Sequence, residues 1–348
     1  MARSRNLDVT MVERPHRPPG LGIGDPMPRI TLPLATGALF DSWDAAVSGV
    51  TRIYWIGSPP CEERIARMVA HLARCEATLC FVAPRPLDGL DADASCLVDR
   101  DGELARAFDA RGAFAIVVDA AGRVAALLPS PATEDVVALV EKLYAATETV
   151  VVRAAAPVML LHRVLDADLC DRLIGYWSAR DKVASIVGSA DGNVVDSETK
   201  RRLDTNLDDP ALFTNVRDAL VRRIAPAIAQ ASHVHTSVIE APRIGCYDAA
   251  SGGWFRRHRD NTSRITAHRQ FAVSINLNPG DEYEGGELRF PEFGRQLYRP
   301  AVGCAVVFSA ALLHEVNPVT RGRRFGLFTF LSAGGAASGY GPRGRGRS

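Results

Sequence analysis

The sequence predicts two folds in series, an α/β domain followed by a mostly β domain whose strands close on themselves and carry supporting helices. Two observations support this. At 348 residues the chain is long for one domain. Up to about residue 150, β-rich runs alternate with helical patterns; past about residue 240, short β-rich runs follow one another with Gly and Pro punctuation between them. The join is visible in composition. Residues 145–156 follow a helical pattern over 133–144 and precede Pro157, which places the boundary near Val151. The expected layout is a flexible arm over 1–20, domains over 21–150 and 151–333, and a disordered Gly/Arg tail over 334–348.

In the first domain, Gly24-Asp25-Pro26-Met27-Pro28 opens a run that ends in a strand over 51–56. Gly57-Ser58-Pro59-Pro60-Cys61 makes a turn, and a helix runs to about residue 73. A strand is expected over 77–83, a helix near 103–110, a strand over 114–119, a turn at Gly122, a strand over 123–128 and the helix over 133–144. Strand, cysteine-bearing turn, helix, strand, hairpin and helix is the thioredoxin order. The Gly-Asp-Pro-x-Pro opening and the phrase Arg111-Gly112-x-Phe114 resemble the peroxiredoxin branch of that fold.

That resemblance implies a thiol site in which Cys61 reacts, Ser58 matches the loop hydroxyl and Arg111 helps hold the thiolate; Tyr54 stands where the family has proline. Pro60 and Cys61 at a helix start favour a thiolate through the unpaired amides there, while Glu62 and Glu63 oppose it. No Cys-x-x-Cys is present, which argues against a dithiol reductase, and Cys75, Cys80 and Cys96 are candidate resolving thiols or simply buried packing. A thiol-dependent peroxidase acting through Cys61 is the alternative function.

In the second domain the run Phe255-Arg256-Arg257-His258-Arg259-Asp260-Asn261 is followed by His314 and then Arg324. Two histidines and a carboxylate form the facial triad that holds non-haem Fe(II) with open positions. In a strand, residues i and i+2 share a face, so His258 and Asp260 can reach one ion. Arg324 adds a permanent, fork-shaped cation suited to a carboxylate. Arg323 beside it must face the other way. Apolar β-rich runs over 302–309 and 325–331 flank His314 and Arg324, the strand Phe271-Ala272-Val273-Ser274-Ile275-Asn276-Leu277 precedes them, and Pro279-Gly280 and Gly285-Gly286 separate the strands.

Residues 156–332 resemble the prolyl 4-hydroxylase-like Fe(II)/2-oxoglutarate dioxygenases. The match includes Arg243 and Tyr247 before Gly252-Gly253, the phrase Asp281-Glu282-Tyr283-Glu284-Gly285-Gly286-Glu287-Leu288, and the turn Pro318-Val319-Thr320-Arg321-Gly322. The resemblance implies a double-stranded β-helix, or jelly roll, with supporting helices, and iron held by His258, Asp260 and His314. It also implies 2-oxoglutarate held by Arg324 with help from the Tyr247 hydroxyl, L-ascorbate as an accessory cofactor, and hydroxylation by dioxygen of a peptidyl residue, amino acid or small metabolite. His233, His235 and His268 carry no such context and read as surface or rim residues, although His268 and Arg269 precede a strand near the expected cavity mouth, which makes them candidate substrate contacts.

Seven cysteines and no apolar leader fit a reducing cytoplasm. No apolar run approaches a bilayer span, so no membrane partner is expected. A net charge of +1 makes no case for nucleic acid; Arg3, Arg5, Arg14, Arg17 and the terminal Gly/Arg run read as solvated segments. Only Lys142, Lys182 and Lys200 are lysines, which points to a GC-rich bacterial genome.

Overall fold

A computed structural model describes residues 9–11, 20–45, 47–87, 95–146, 151–184, 187–189, 192–194 and 199–334. The tail beyond Gly334 and most of the expected N-terminal arm lie outside the described residues. The chain divides into two compact units, one spanning His16–Val151 and the other Val152–Ser348 together with Met1–Pro15.

The first unit is built on a five-stranded sheet in the order Ser95–Val98, Ala77–Ala83, Thr51–Ile56, Phe114–Val118, Val124–Pro129. Its first three strands are parallel and the last two antiparallel. The central strand is buried along nearly its whole length, as expected where both faces of a sheet are covered. Alternation along it divides the core. Ile53 and Trp55 pack under the helices Glu62–Arg74 and Thr133–Ala145, while Tyr54 faces the other side with Phe40, Leu104 and Phe108. Glu62–Arg74 buries Ile65, Met68 and Leu72, a helical stripe, and carries acids in its first turn and bases in its last, which complements the helix dipole. The strand Ser95–Val98 and the hairpin Thr31–Pro33 with Leu39–Asp41 were not expected; each is too short to show a period of its own.

The second unit is a jelly-roll type fold of two antiparallel sheets. The larger contains Leu203–Asn206, Arg243–Asp248, Val319–Ser332, Phe271–Asn276, Ala305–Ser309 and Val158–Leu161 as neighbours in that order, with Val9–Met11 joined through Val238–Glu240. The smaller runs Lys200–Arg201, Trp254–His258, His314–Val316, Leu288–Arg289, Leu297–Tyr298. Strand alternation again separates two cores. Ile244, Cys246, Val273, Ile275, Phe325 and Leu327 pack beneath the helices Ala167–Ser178 and Pro210–Ala219, whereas Tyr247, Ala272, Val306 and Phe308 meet Phe255, Leu288, Phe290 and Val316 of the smaller sheet. The helix starts are fixed by Asp166 and Asp209, whose carboxylates accept from Leu169 N and Leu212 N at 2.8 Å.

Gly285 and Gly286 explain the glycine pair of the 281–288 phrase. A Cβ on Gly285 would stand 2.0 Å from the Pro318 carbonyl oxygen, and one on Gly286 would press on Val319 Cγ2 at 2.9 Å and Arg324 Cδ at 3.0 Å. Both have positive φ. The smaller sheet can therefore cross the turn at Pro318 and leave room for the stem of Arg324. Among the described residues no helix is long and apolar enough to cross a membrane.

Candidate active site

His258 ends the strand Trp254–His258, and His314 begins His314–Val316; the two are direct cross-strand partners. Asp260 lies past the end of its strand, in the following turn, held there by its backbone N–H donating to Ala310 O at 2.9 Å. Convergence with His258 thus comes from the turn and not from strand alternation. Ligand atoms of His258, Asp260 and His314 all lie within 4.8 Å of one another. His258 Nε2 stands 3.4 Å from Asp260 Oδ1, and His314 Nε2 stands 3.4 Å from Asp260 Oδ2.

The second nitrogens of the two rings settle what this cluster can bind. His258 Nδ1 lies 2.8 Å from Arg256 O, and His314 Nδ1 lies 3.0 Å from Leu312 O. A carbonyl only accepts, so each Nδ1 carries the donated proton and each Nε2 is the nitrogen turned toward the carboxylate. Burial pushes His314 down to about 4, against the attraction of Asp260, so this ring is neutral near pH 7. Burial pulls the Asp260 carboxyl up, but His314, His258 and Arg269 outweigh it and hold the group well below the usual carboxylate range. Two imidazole nitrogens and one carboxylate meet at a single point. His258 Nε2 is buried without a hydrogen-bond partner. Metal donors at right angles on bonds of about 2.1 Å stand about 3 Å apart, close to the spacing seen. Two nitrogens and one carboxylate fit ferrous iron.

Aromatic rings brace the imidazoles. Phe255 stacks on His258 at 3.5 Å between centroids, and Phe308 meets His314 edge-on at 4.8 Å. The triad residues line a cavity of about 420 Å³, together with Tyr247, Phe255, Ser274 and Phe308.

Arg324 is 3% exposed, whereas the Arg323 side chain is 60% exposed and bonds Asp248 Oδ2 at 2.8 Å. Alternation sends only Arg324 inward, opposite Tyr247 on the neighbouring strand. Its Nη1 is buried without a partner and its Nη2 is 3.5 Å from Ser274 Oγ, which lines the cavity and places the guanidinium one side chain behind the wall. An obligate cation so poorly satisfied suits an incoming carboxylate. The Tyr247 hydroxyl accepts from Arg202 Nη1 at 3.3 Å, which leaves its own proton to donate.

The residues of the thiol reading are not gathered in the same way. Cys61 is exposed at the N-cap of Glu62–Arg74 and makes no capping bond. Ser58 contributes its carbonyl to Trp55 Nε1 at 3.1 Å. The Arg111 side chain is 88% exposed and pairs with Asp109 at 3.7 Å, and among the described residues no hydrogen bond joins it to Cys61 or Ser58. Tyr54 is buried in mid-sheet. Cys75, Cys80 and Cys96 are buried, and burial pushes the Cys80 thiol up to about 12.

Beyond the triad, a set of charges lines the cavity wall, of which sequence reading singled out Arg269 and, within the family match, Arg243. Lys200, Arg202, Arg243, Glu240 and Arg269 all line it. Arg202 grips Asp204 with Nε and Nη2 at 2.6 and 2.8 Å, and Arg269 grips Glu240 at 2.7 and 2.8 Å. His268 is also drawn in, at 2.9 Å from Glu240. Lys200 ends up on the smaller sheet and Asp204 on the larger, with Arg202 between the two strands.

The family model described as "2OG-Fe(II) oxygenase superfamily" matches residues 242–332. A PKHD-type hydroxylase of Teredinibacter turnerae is 27% identical over 177 residues, covering 49% of this chain and 77% of that protein. A PKHD-type hydroxylase of Pseudomonas putida F1 is 32% identical over 184 residues, covering 49% and 76%. A solved prolyl-4-hydroxylase of Pseudomonas putida aligns with 52% of this chain and 95% of its own at 22% identity and a TM-score of 0.40. With the triad of donors and the buried arginine in the matching segment, the chain belongs to the 2OG-Fe(II) oxygenase superfamily, whose cofactor and co-substrate are Fe(II) and 2-oxoglutarate.

Proposed function

We propose that this enzyme hydroxylates an unactivated C–H bond of an organic substrate, with conversion of 2-oxoglutarate and dioxygen to succinate and carbon dioxide. The carrying observation is the meeting of His258, Asp260 and His314, whose ligand atoms all lie within 4.8 Å of one another, with His258 Nε2 buried and without a hydrogen-bond partner. Iron bound there would supply the oxidising chemistry, which no side chain of the cavity can provide.

The protein's own residues prepare for this. The carbonyls of Arg256 and Leu312 fix both histidine tautomers. Phe255 and Phe308 hold the rings and keep water from that side. Arg324 neutralises the distal carboxylate of 2-oxoglutarate and Tyr247 donates its hydroxyl proton to the same co-substrate. Release of labelled carbon dioxide from 1-carboxyl-labelled 2-oxoglutarate tests the reading: wild type with Fe(II) turns over slowly without substrate, and His258→Ala or Asp260→Ala does not. Equal release from wild type and both variants would sink it.

For the His16–Val151 unit we infer a thioredoxin-like fold, supported by its sheet order and by two helices packed on one face. Because Arg111 pairs with Asp109 in solvent, we assign no peroxide chemistry to Cys61.

A further inference from the structure

The cations lining the cavity do not all have partners. Arg202 is matched by Asp204, Arg269 by Glu240, and Arg259 by Glu292 at 2.6 Å. Lys200 and Arg243 remain. Neither side chain makes a hydrogen bond or ion pair with any described residue, and Lys200 is 8% exposed. The Lys200 ammonium lies over the face of Phe255, at 4.4 Å from the ring centroid, and Phe255 in turn stacks on His258. Lys200 is the direct cross-strand partner of Phe255, so the smaller sheet fixes its place beside the triad, while Arg243 reaches the same cavity from the larger sheet.

We propose that Lys200 and Arg243 form an anion subsite for the molecule that is hydroxylated, which therefore carries a carboxylate or phosphate group near the oxidised carbon. This rests on the proposed dioxygenase reading and adds the substrate's charge. One anion of the reaction, the distal carboxylate of 2-oxoglutarate, is accounted for by Arg324, whose unpartnered Nη1 lies behind Ser274. Two further cations, one from each sheet, exceed what that co-substrate needs. Their retention is costly. Burial, and then Arg202, hold the Lys200 amine well below the ordinary lysine value, and burial also lowers Arg243. The carboxylates Asp204, Asp260 and Glu240 act on the pair only at a distance, and an anion bound against it would hold Lys200 in its charged form and offset the burial of both side chains. A cavity of about 420 Å³ has room for a small acid or an acidic side chain beside 2-oxoglutarate.

The test uses full-length protein loaded anaerobically with Fe(II) and 2-oxoglutarate, and calorimetric titration with matched probes. N-acetyl-L-glutamate against N-acetyl-L-glutamine reads carboxylate preference, and O-phospho-L-serine against L-serine reads phosphate preference. The expected result is at least one acid binding tenfold or more tightly than its neutral counterpart. That preference is lost in Lys200→Met and in Arg243→Gln and kept in Lys200→Arg, while 2-oxoglutarate affinity stays within twofold throughout. No acid preference in wild type, or a preference that survives both substitutions, overturns the proposal. A tenfold fall in 2-oxoglutarate affinity in the variants also overturns it, since the cations then serve the co-substrate. Failure of wild type to bind 2-oxoglutarate with Fe(II) at all would refute the dioxygenase reading beneath it, a result separate from the other three.

Discussion

Replacement of Arg324 by methionine has two effects of opposite sign. The guanidinium is 3% exposed, its Nη1 has no partner and its Nη2 reaches Ser274 Oγ only at 3.5 Å. A carboxylate arriving at this fork gains two charge-assisted hydrogen bonds of about 1.5–2 kcal/mol each. Their loss totals about 3–4 kcal/mol, which weakens 2-oxoglutarate roughly 150- to 900-fold. Methionine keeps the stem that packs beside Gly286. It also removes a buried donor that has nothing to bond, so the ligand-free protein becomes more stable by about 1–3 kcal/mol. The assay is paired: 2-oxoglutarate titration under nitrogen with Mn(II) in the metal site, and urea unfolding of the metal-free protein. Tighter folding with much weaker co-substrate binding and unchanged Mn(II) affinity is expected. An affinity for 2-oxoglutarate within threefold of wild type would refute the assignment of this arginine, as would loss of 2-oxoglutarate in step with loss of Mn(II).

Asp204→Asn leaves the buried Arg202 guanidinium without its bidentate carboxylate and lowers stability by about 3 kcal/mol or more in urea, whereas the double change Arg202→Met with Asp204→Leu recovers most of the loss. Gly285→Ala forces a Cβ onto the Pro318 carbonyl oxygen at positive φ, so its thermal midpoint falls by several degrees or the protein fails to accumulate; a midpoint equal to wild type contradicts the crossing described. Phe255→Ala removes a 9% exposed ring that braces His258, costing about 3 kcal/mol in unfolding and weakening Fe(II) binding measurably more than it weakens 2-oxoglutarate binding to the metal-loaded protein.

Residue spacing made some of this site legible and hid the rest. Period-two alternation separates Arg324 from Arg323 on the strength of sequence alone, because neighbours in a strand must face opposite ways. The glycine pair at Gly285 and Gly286 is visible in sequence as punctuation, but its reason, the close crossing at Pro318 and Arg324, belongs to tertiary packing. Asp260 looks like a strand residue by its spacing from His258 and in fact sits in a turn anchored to Ala310, a long-range bond that no local pattern announces. In sequence Arg243 is legible only as part of the family match, and Lys200 and Arg202 carry no role of their own. What makes them unusual is burial in one cavity, and burial of a polar residue is set by which strands close over it. In the first unit, Arg111 and Cys61 were singled out by resemblance alone, yet Arg111 turns to Asp109, since local sequence order leaves an exposed rotamer free.

Anaerobic titration of Fe(II) into the purified full-length protein with 2-oxoglutarate, followed by the visible charge-transfer absorption of the iron chelate, bears directly on the meeting of His258, Asp260 and His314. One iron per chain, a saturable band in wild type and no band in folded His314→Ala are the expected results. A well-folded wild type that develops no band, or a His314→Ala protein that develops the same one, would contradict the site.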